Sequence, residues 1–401
     1  MFNNLKFKVI LFGFIFTFFS SFGQSYFLGL FNSSIRDTLS ITHGQFGSIY
    51  ASATLFSSVL LIWVGKKIDD VNIFKFALFV TILLSFACFF FSKVSSVLLL
   101  FIGIFLMRFS GQGMMSHTAS TTISRYFTRT RGRALSISWF GLSFAEFILP
   151  VLMVYLLTLI DWQNLWIIFS ITVLLILPIA SFLLIKNLKL DSREVNDENI
   201  KEVEIKQWKR KEVIKDYRFY IITLNMLSMP WIFTGFAVFQ SFVQTSKGWG
   251  PYVIAQSFMS YSIFSVLTLF LSGFLIDKFT SRKLLIFMNI PLLLSVLILI
   301  FFNNPITAFV FLGLVGISNG FANILGSSTW AELYGVKYIG SIKALTTALM
   351  VFATAFGTAL FGFLIDIGFS INDIAVVSGV YISTSLALLF FIRKKLNPVY
   401  V

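Results

Sequence analysis

Residues 74–92 read FKFALFVTILLSFACFFFS, and residues 96–122 read SVLLLFIGIFLMRFSGQGMMSHTASTT. Each is long enough to cross a bilayer as a helix, for which about 20 mainly apolar residues suffice. The gap between them carries one base, Lys93, whereas the chain entering the first carries Lys66, Lys67 and Lys75. That contrast repeats outward in both directions. Twelve apolar spans are predicted, at 8–31, 42–64, 74–92, 96–122, 134–158, 164–185, 218–245, 252–273, 283–302, 306–330, 344–365 and 372–392. Of 31 basic residues, only Arg36, Lys93 and Lys247 fall in the odd-numbered gaps and only Arg108 deep inside a span; the other 27 sit in the even gaps, at the termini, or, as Lys8, Lys75, Arg218 and Lys283 do, within the first residues of a span that borders them. Lys and Arg accumulate in short cytoplasmic loops. Both termini and the long sixth gap are therefore predicted to be cytoplasmic, and the fold class is an all-α polytopic membrane protein.

The same rule absorbs the net charge of +14. A basic balance can mean nucleic acid, but here it is spread over the loops of a chain that is 57% hydrophobic. No nucleic-acid partner is expected; contact with lipid headgroups is a secondary consequence. The first apolar run follows Lys6 and Lys8 like a signal peptide, but it is too long and lacks a small-residue cleavage site, so it reads as a retained span. The single cysteine, Cys88, lies in an apolar context and reads as packing.

Six spans lie on each side of the sixth gap. The predicted organisation is a bundle at 1–186, a cytoplasmic linker at 187–217 and a second bundle at 218–401. The linker is dense in charges of both signs, among them Asp191, Arg193, Glu194, Asp197, Glu198 and Lys201, and an amphipathic surface helix is predicted around Val203–Val213. The halves echo each other. Gly65-x-x-x-Asp69 returns as Gly273-x-x-x-Asp277, 208 residues later, and Arg133-Ala134-Leu135 returns as Lys343-Ala344-Leu345, 210 later. Two such halves predict a pseudo-symmetric pair of six-helix bundles related as a parallel repeat, with a substrate site at mid-membrane between them.

The segment Gly273-Phe-Leu-Ile-Asp277-Lys278-Phe-Thr-Ser-Arg282-Lys283 resembles the loop signature of the major facilitator superfamily, Gly-x-x-x-Asp-Arg/Lys-x-Gly-Arg-Arg/Lys. It departs where Thr280 replaces the inner Gly and Ser281 the first base; the earlier copy keeps Gly65, Asp69 and Lys75. A narrower likeness rests on Arg108-Phe-Ser-Gly111-Gln112-Gly113, Ser124-Arg125-Tyr126-Phe127, Arg131-Gly132-Arg133-Ala134-Leu135, Gly141 and Pro150. Trp330-Ala331-Glu332-Leu333-Tyr334-Gly335 and Ser20-Ser21-Phe22-Gly23-Gln24 look like further segments of the same group. These resemble the bacterial monocarboxylate-porter-like and oxalate–formate-antiporter-like carriers. The resemblance implies a monomer in a bacterial inner membrane, with a small-molecule substrate, no cofactor and no resident metal.

Arg108 is the most informative single residue, because a charge inside a span costs at least about 2.5–3.5 kcal/mol and needs a cavity, a partner or both. A guanidinium suits a carboxylate or phosphate. It either meets an anionic substrate or is an ion-paired structural residue. Glu146, in the neighbouring fifth span, is the expected partner, and serves either as a proton site coupled to Arg108 or as one end of a permanent pair.

In the resembled fold the first, fourth, seventh and tenth spans line the cavity. That implies Gln24, Arg108, Gln112, Asn225, Trp231, Gln240, Asn319 and Asn323 as lining residues. Arg108/Gln112 and Asn319/Asn323 are i, i+4 pairs that share a face in an α-helix. Membrane amides serve equally well as interhelical glue. The offset of 210 carries Arg108 onto Ser318, so the cavity is predicted to be positive on one wall only. The resemblance also implies a cytoplasmic gate built from Gly65, Asp69, Gly273, Asp277, Lys278, Arg282 and Lys283, with Asp69 capping the eleventh span and Asp277 the fifth; the alternative is charge that only sets topology.

His43 and His117 are too far apart in sequence to indicate a metal site, and Gly111-Gln112-Gly113 lies inside a span with no preceding strand, so it is no nucleotide motif. The leading reading is a secondary transporter of a small organic anion, monocarboxylates included, coupled to protons and not an enzyme. A drug or metabolite efflux antiporter of the same fold is one alternative, and a non-transporting sensor or assembly factor is another.

Overall fold

The computed structural model describes residues 5–68, 70–127, 131–186, 188 and 206–399. Among the described residues there is no strand, and twelve helices are long and apolar enough to span a membrane. They run Leu5–Gly29, His43–Ile68, Ile73–Phe91, Val97–Tyr126, Gly132–Leu157, Trp162–Ile185, Tyr217–Val238, Val253–Ile276, Ser281–Phe301, Ile306–Tyr334, Ile339–Asp366 and Ile371–Lys395. The chain is thus an all-α, twelve-span membrane protein. Several starts are written locally. Thr42 and Gln45 close a capping box at the second span, Ser370 and Asp373 close another at the twelfth, and Ser96 Oγ accepts from Leu99 N at 3.3 Å. Large apolar side chains such as Trp63, Phe274 and Phe391 stand exposed, as lipid contact requires.

The chain divides into two compact units. The first is Met1–Glu194 with Ala237–Ser241; the second is Val195–Phe236 with Phe242–Val401. In the first unit the first span packs on the fourth and fifth, the third on the sixth and the second on the fourth. In the second unit the tenth packs on the eighth and ninth, and the ninth on the twelfth.

Two of the bases in the odd gaps have structural duties. Lys247 is buried, and its ammonium donates to Leu299 O, to Asn303 Oδ1 at 2.9 Å and to Asn372 Oδ1 at 2.8 Å. Arg36 Nε donates to Asn32 Oδ1 at 2.8 Å.

The linker corrects one expectation. No surface helix covers residues 206–209; only Arg210–Val213 is helical, and Val213 is buried in the second unit's core. Backbone pairing explains the difference. Lys206 N donates to Val399 O at 2.7 Å and Trp208 N to Tyr334 O at 3.0 Å, so the segment is a strap and its amides are not free for helix. Residues 189–205, with most of the linker's charges, lie outside the described residues.

Thr280 adopts φ 70°. That is the position where the signature has Gly, and the backbone keeps the conformation for which glycine is suited. A β-branched residue there is strained.

Candidate functional site

The site in the first unit is built from irregular backbone. The first span is α-helical to Ser20, turns through a 3-10 stretch at Ser21–Gly23, becomes extended at Gln24 and resumes as helix at Ser25–Gly29. Beside it the fourth span is π-helical over Arg108–Met115. Such segments, bonded i→i+5, are rare and concentrate at functional sites. The two irregular stretches meet backbone to backbone. A Cβ on Gly111 would lie 2.6 Å from Gly23 N, and one on Gly23 would run into Met107 O and Gln112 N. Only glycine permits this approach.

Arg108 points its fork at the break. Nη1 donates to Gly23 O at 3.0 Å and to Ser25 Oγ at 3.2 Å, while Tyr50 OH donates to the same Ser25 Oγ at 2.9 Å. The Tyr50 ring lies 5.4 Å from the guanidinium carbon, within cation–π range. Arg108 is 2% exposed, and its Nε has no acceptor. Glu146 is 8% exposed. Among the described residues no ion pair within 4.0 Å joins Arg108 to Glu146 or gives either another partner. The expected pair is therefore absent: the broken first span offers Arg108 a carbonyl and a hydroxyl instead. The i, i+4 argument for Arg108 and Gln112 also lapses, because the segment is not α-helical; Arg108 is sealed and Gln112 is half-buried.

The remaining candidates scatter in character. Gln24 is half-buried at the break. Gln240 Nε2 donates to Tyr26 O at 2.8 Å and to Ala237 O at 2.9 Å. In the second unit, Asn319 Nδ2 donates to Ser265 Oγ at 2.9 Å, binding the tenth span to the eighth, while Asn323 is exposed. Asn225 is fully buried, with neither side-chain polar atom bonded, although its carbonyl accepts from Asn289 Nδ2 at 2.6 Å. Trp231 is buried among Phe356, Phe361 and Tyr381, and its Nε1 lacks an acceptor.

At the loop ends, Gly65 O pairs with His117 Nε2 at 3.0 Å, and Arg125 Nη1 donates to Ile68 O at 3.2 Å. Arg282 Nε meets Glu332 Oε1 at 2.9 Å, and Nη1 reaches Asn397 Oδ1 at 2.8 Å; Ser281 N donates to Glu332 Oε2 at 2.9 Å. Lys278 lies over the Phe279 ring. Gly273 has open space around it, and Lys283 is exposed. Asp69 and the side chain of Asp277 lie outside the described residues, and with them both proposed caps. Ser25, Tyr50 and Glu332 were not singled out from sequence. The Ser-Ser-Phe-Gly-Gln run flags the break that presents Ser25, and Glu332 sits in a noted segment; nothing flags Tyr50.

Residues 13–358 match the family profile described as Major Facilitator Superfamily. Among solved structures the chain is similar to a bacterial homolog of the human lysosomal transporter Spinster, at 14% identity over 98% of each chain with a TM-score of 0.71. It is also similar to the nucleoside transporter NupG, at 16% identity over 98% of this chain and 99% of that one with a TM-score of 0.67. No curated protein matches it.

Proposed function

This chain belongs to the Major Facilitator Superfamily, and from that premise we propose that it carries a small organic anion together with a proton by alternating access. As a family member it is a membrane transporter and not an enzyme; the cargo and the coupling are our reading. The observation that supports it is the solitude of two intramembrane charges. Arg108 has hydrogen bonds but no counter-anion, and Glu146 has no counter-cation within 4.0 Å among the described residues. Burying an uncompensated charge is costly. A substrate carboxylate supplies the anion Arg108 lacks, and acids inside spans are the usual material of proton relays. Monocarboxylates are the first cargo class to try, given the narrower sequence likeness. The working unit is taken as a monomer in a bacterial inner membrane, termini in the cytoplasm, as the loop charges indicate.

A second reading has its own support. Arg108 is 2% exposed and braces the first-span break. If it is purely a brace, the cargo is a neutral polar solute, met in the first unit by amides such as Gln24 and Gln112; NupG is a nucleoside transporter. Proteoliposomes under an imposed pH gradient separate the two. Accumulation of labelled monocarboxylates, abolished by removing the gradient, is expected. Accumulation of nucleosides alone would overturn the anion reading.

A further inference from the structure

In the second unit, three segments line an open cavity of about 400 Å³: the linker strap, the start of the seventh span and the C-terminal tail. Its lining includes Trp208, Glu212, Lys215, Asp216, Arg218 and Lys395. Both acids are already engaged. Asp216 holds Arg218 at 2.7 Å and accepts from Tyr334 OH at 3.2 Å. Glu212 accepts from Lys209 N at 2.8 Å and pairs with Lys206 at 2.9 Å, and these two contacts hold its carboxyl below the usual range. Arg218 is spent as well, on Asp216 and on Asn397 O at 2.8 Å. What remains is Lys215 and Lys395, two ammonium groups with no acidic partner within 4.0 Å among the described residues. Beside the cavity lies an apolar shelf of exposed Ile214, Tyr217 and Tyr220, and Tyr220 OH is fastened to Ile214 O at 2.8 Å.

We propose that this cavity seats the phosphate of an anionic lipid, with Lys215 and Lys395 on the phosphate oxygens and the acyl region over the Ile214–Tyr217–Tyr220 shelf. Basic pockets on the cytoplasmic side of membrane proteins bind such headgroups, and aromatic side chains settle at the same depth. A soluble phosphate ester shares the headgroup chemistry but has no use for the shelf. The inference rests on the sidedness read from the loop charges and not on the cargo.

Native mass spectrometry of the full chain in an equimolar mixture of phosphatidylglycerol and phosphatidylcholine tests it. Wild type should retain phosphatidylglycerol preferentially, and Lys215→Gln with Lys395→Gln should cut that preference roughly tenfold or more. Lys67→Gln with Lys75→Gln removes the same charge elsewhere and should leave the preference intact. Equal loss in both double variants would reduce the effect to bulk surface charge and overturn the proposal. Binding of glycerol 3-phosphate with no lipid preference would also overturn it, making the ligand a soluble ester. All four lysines are exposed, so an unchanged melting temperature is expected throughout.

Discussion

The fourth and tenth spans occupy equivalent places in the two halves of the repeat, yet they are built differently. The fourth is interrupted by an eight-residue π stretch that begins at Arg108 and lies against a break in the first span. The tenth is one uninterrupted α-helix, Ile306–Tyr334, and the position equivalent to Arg108 is Ser318, whose hydroxyl donates to Met288 O at 2.7 Å. A regular helix consumes its own carbonyls, so a side chain placed against it finds few free acceptors. A broken one frees them. The unit that carries Arg108 is broken where it must solvate that cation, whereas buried Lys247 in the second unit takes its acceptors at span ends and a loop, from Leu299 O, Asn303 Oδ1 and Asn372 Oδ1.

The sharpest way to break this contrast is to close the backbone approach. Gly111→Val would force the fourth span away from Gly23, and a loss of about 3 kcal/mol or more is expected, read as collapse of folded yield in size-exclusion chromatography. Gly340→Ala in the second unit has open space around it and should stay within about 0.5 kcal/mol of wild type. If both behave alike, the packing account is wrong.

Arg108→Gln comes next. Uptake of the anion should fall roughly 100-fold, because a buried charge and its hydrogen bonds are lost together. Retained uptake with a lower melting temperature would make the residue a brace. Glu146→Gln is expected to remove accumulation driven by a pH gradient and to leave exchange of cargo for cargo intact; unchanged accumulation would take Glu146 out of coupling.

The smallest effect tests the second half. Thr280→Gly relieves a β-branched residue at φ 70° whose hydroxyl is also buried without a partner. A gain of about 1 kcal/mol in stability is expected from thermal melts. No gain would mean that the loop relaxes around the threonine.

The spans were legible because two independent signals, apolar length and loop charge, agree at every gap. Their interior detail was not. Hydropathy does not mark the π stretch: the drop that begins at Arg108 continues through Ser116–Tyr126, which is regular α-helix, and the break at Ser21–Gln24 is only four residues long. Arg108 was visible because lysine and arginine are rare at depth, but its expected partner rested on the fifth span being a neighbour of the fourth. Adjacency of spans could not reveal that Gly23 O and Ser25 Oγ stand closer. The linker misled for a related reason: alternating charge looks amphipathic whether its amides bond within a helix or across to Val399 and Tyr334.

The π stretch has a mechanical corollary. A helix that is locally underwound holds slack, and each residue of slack returned to α geometry turns everything beyond it by roughly 100° and advances it about 1.5 Å. Gln112, His117 and Arg125 all lie on the side that would turn. The fourth span is in effect a screw with a soft thread that begins at Arg108, able to re-aim the half that follows without moving the half that precedes.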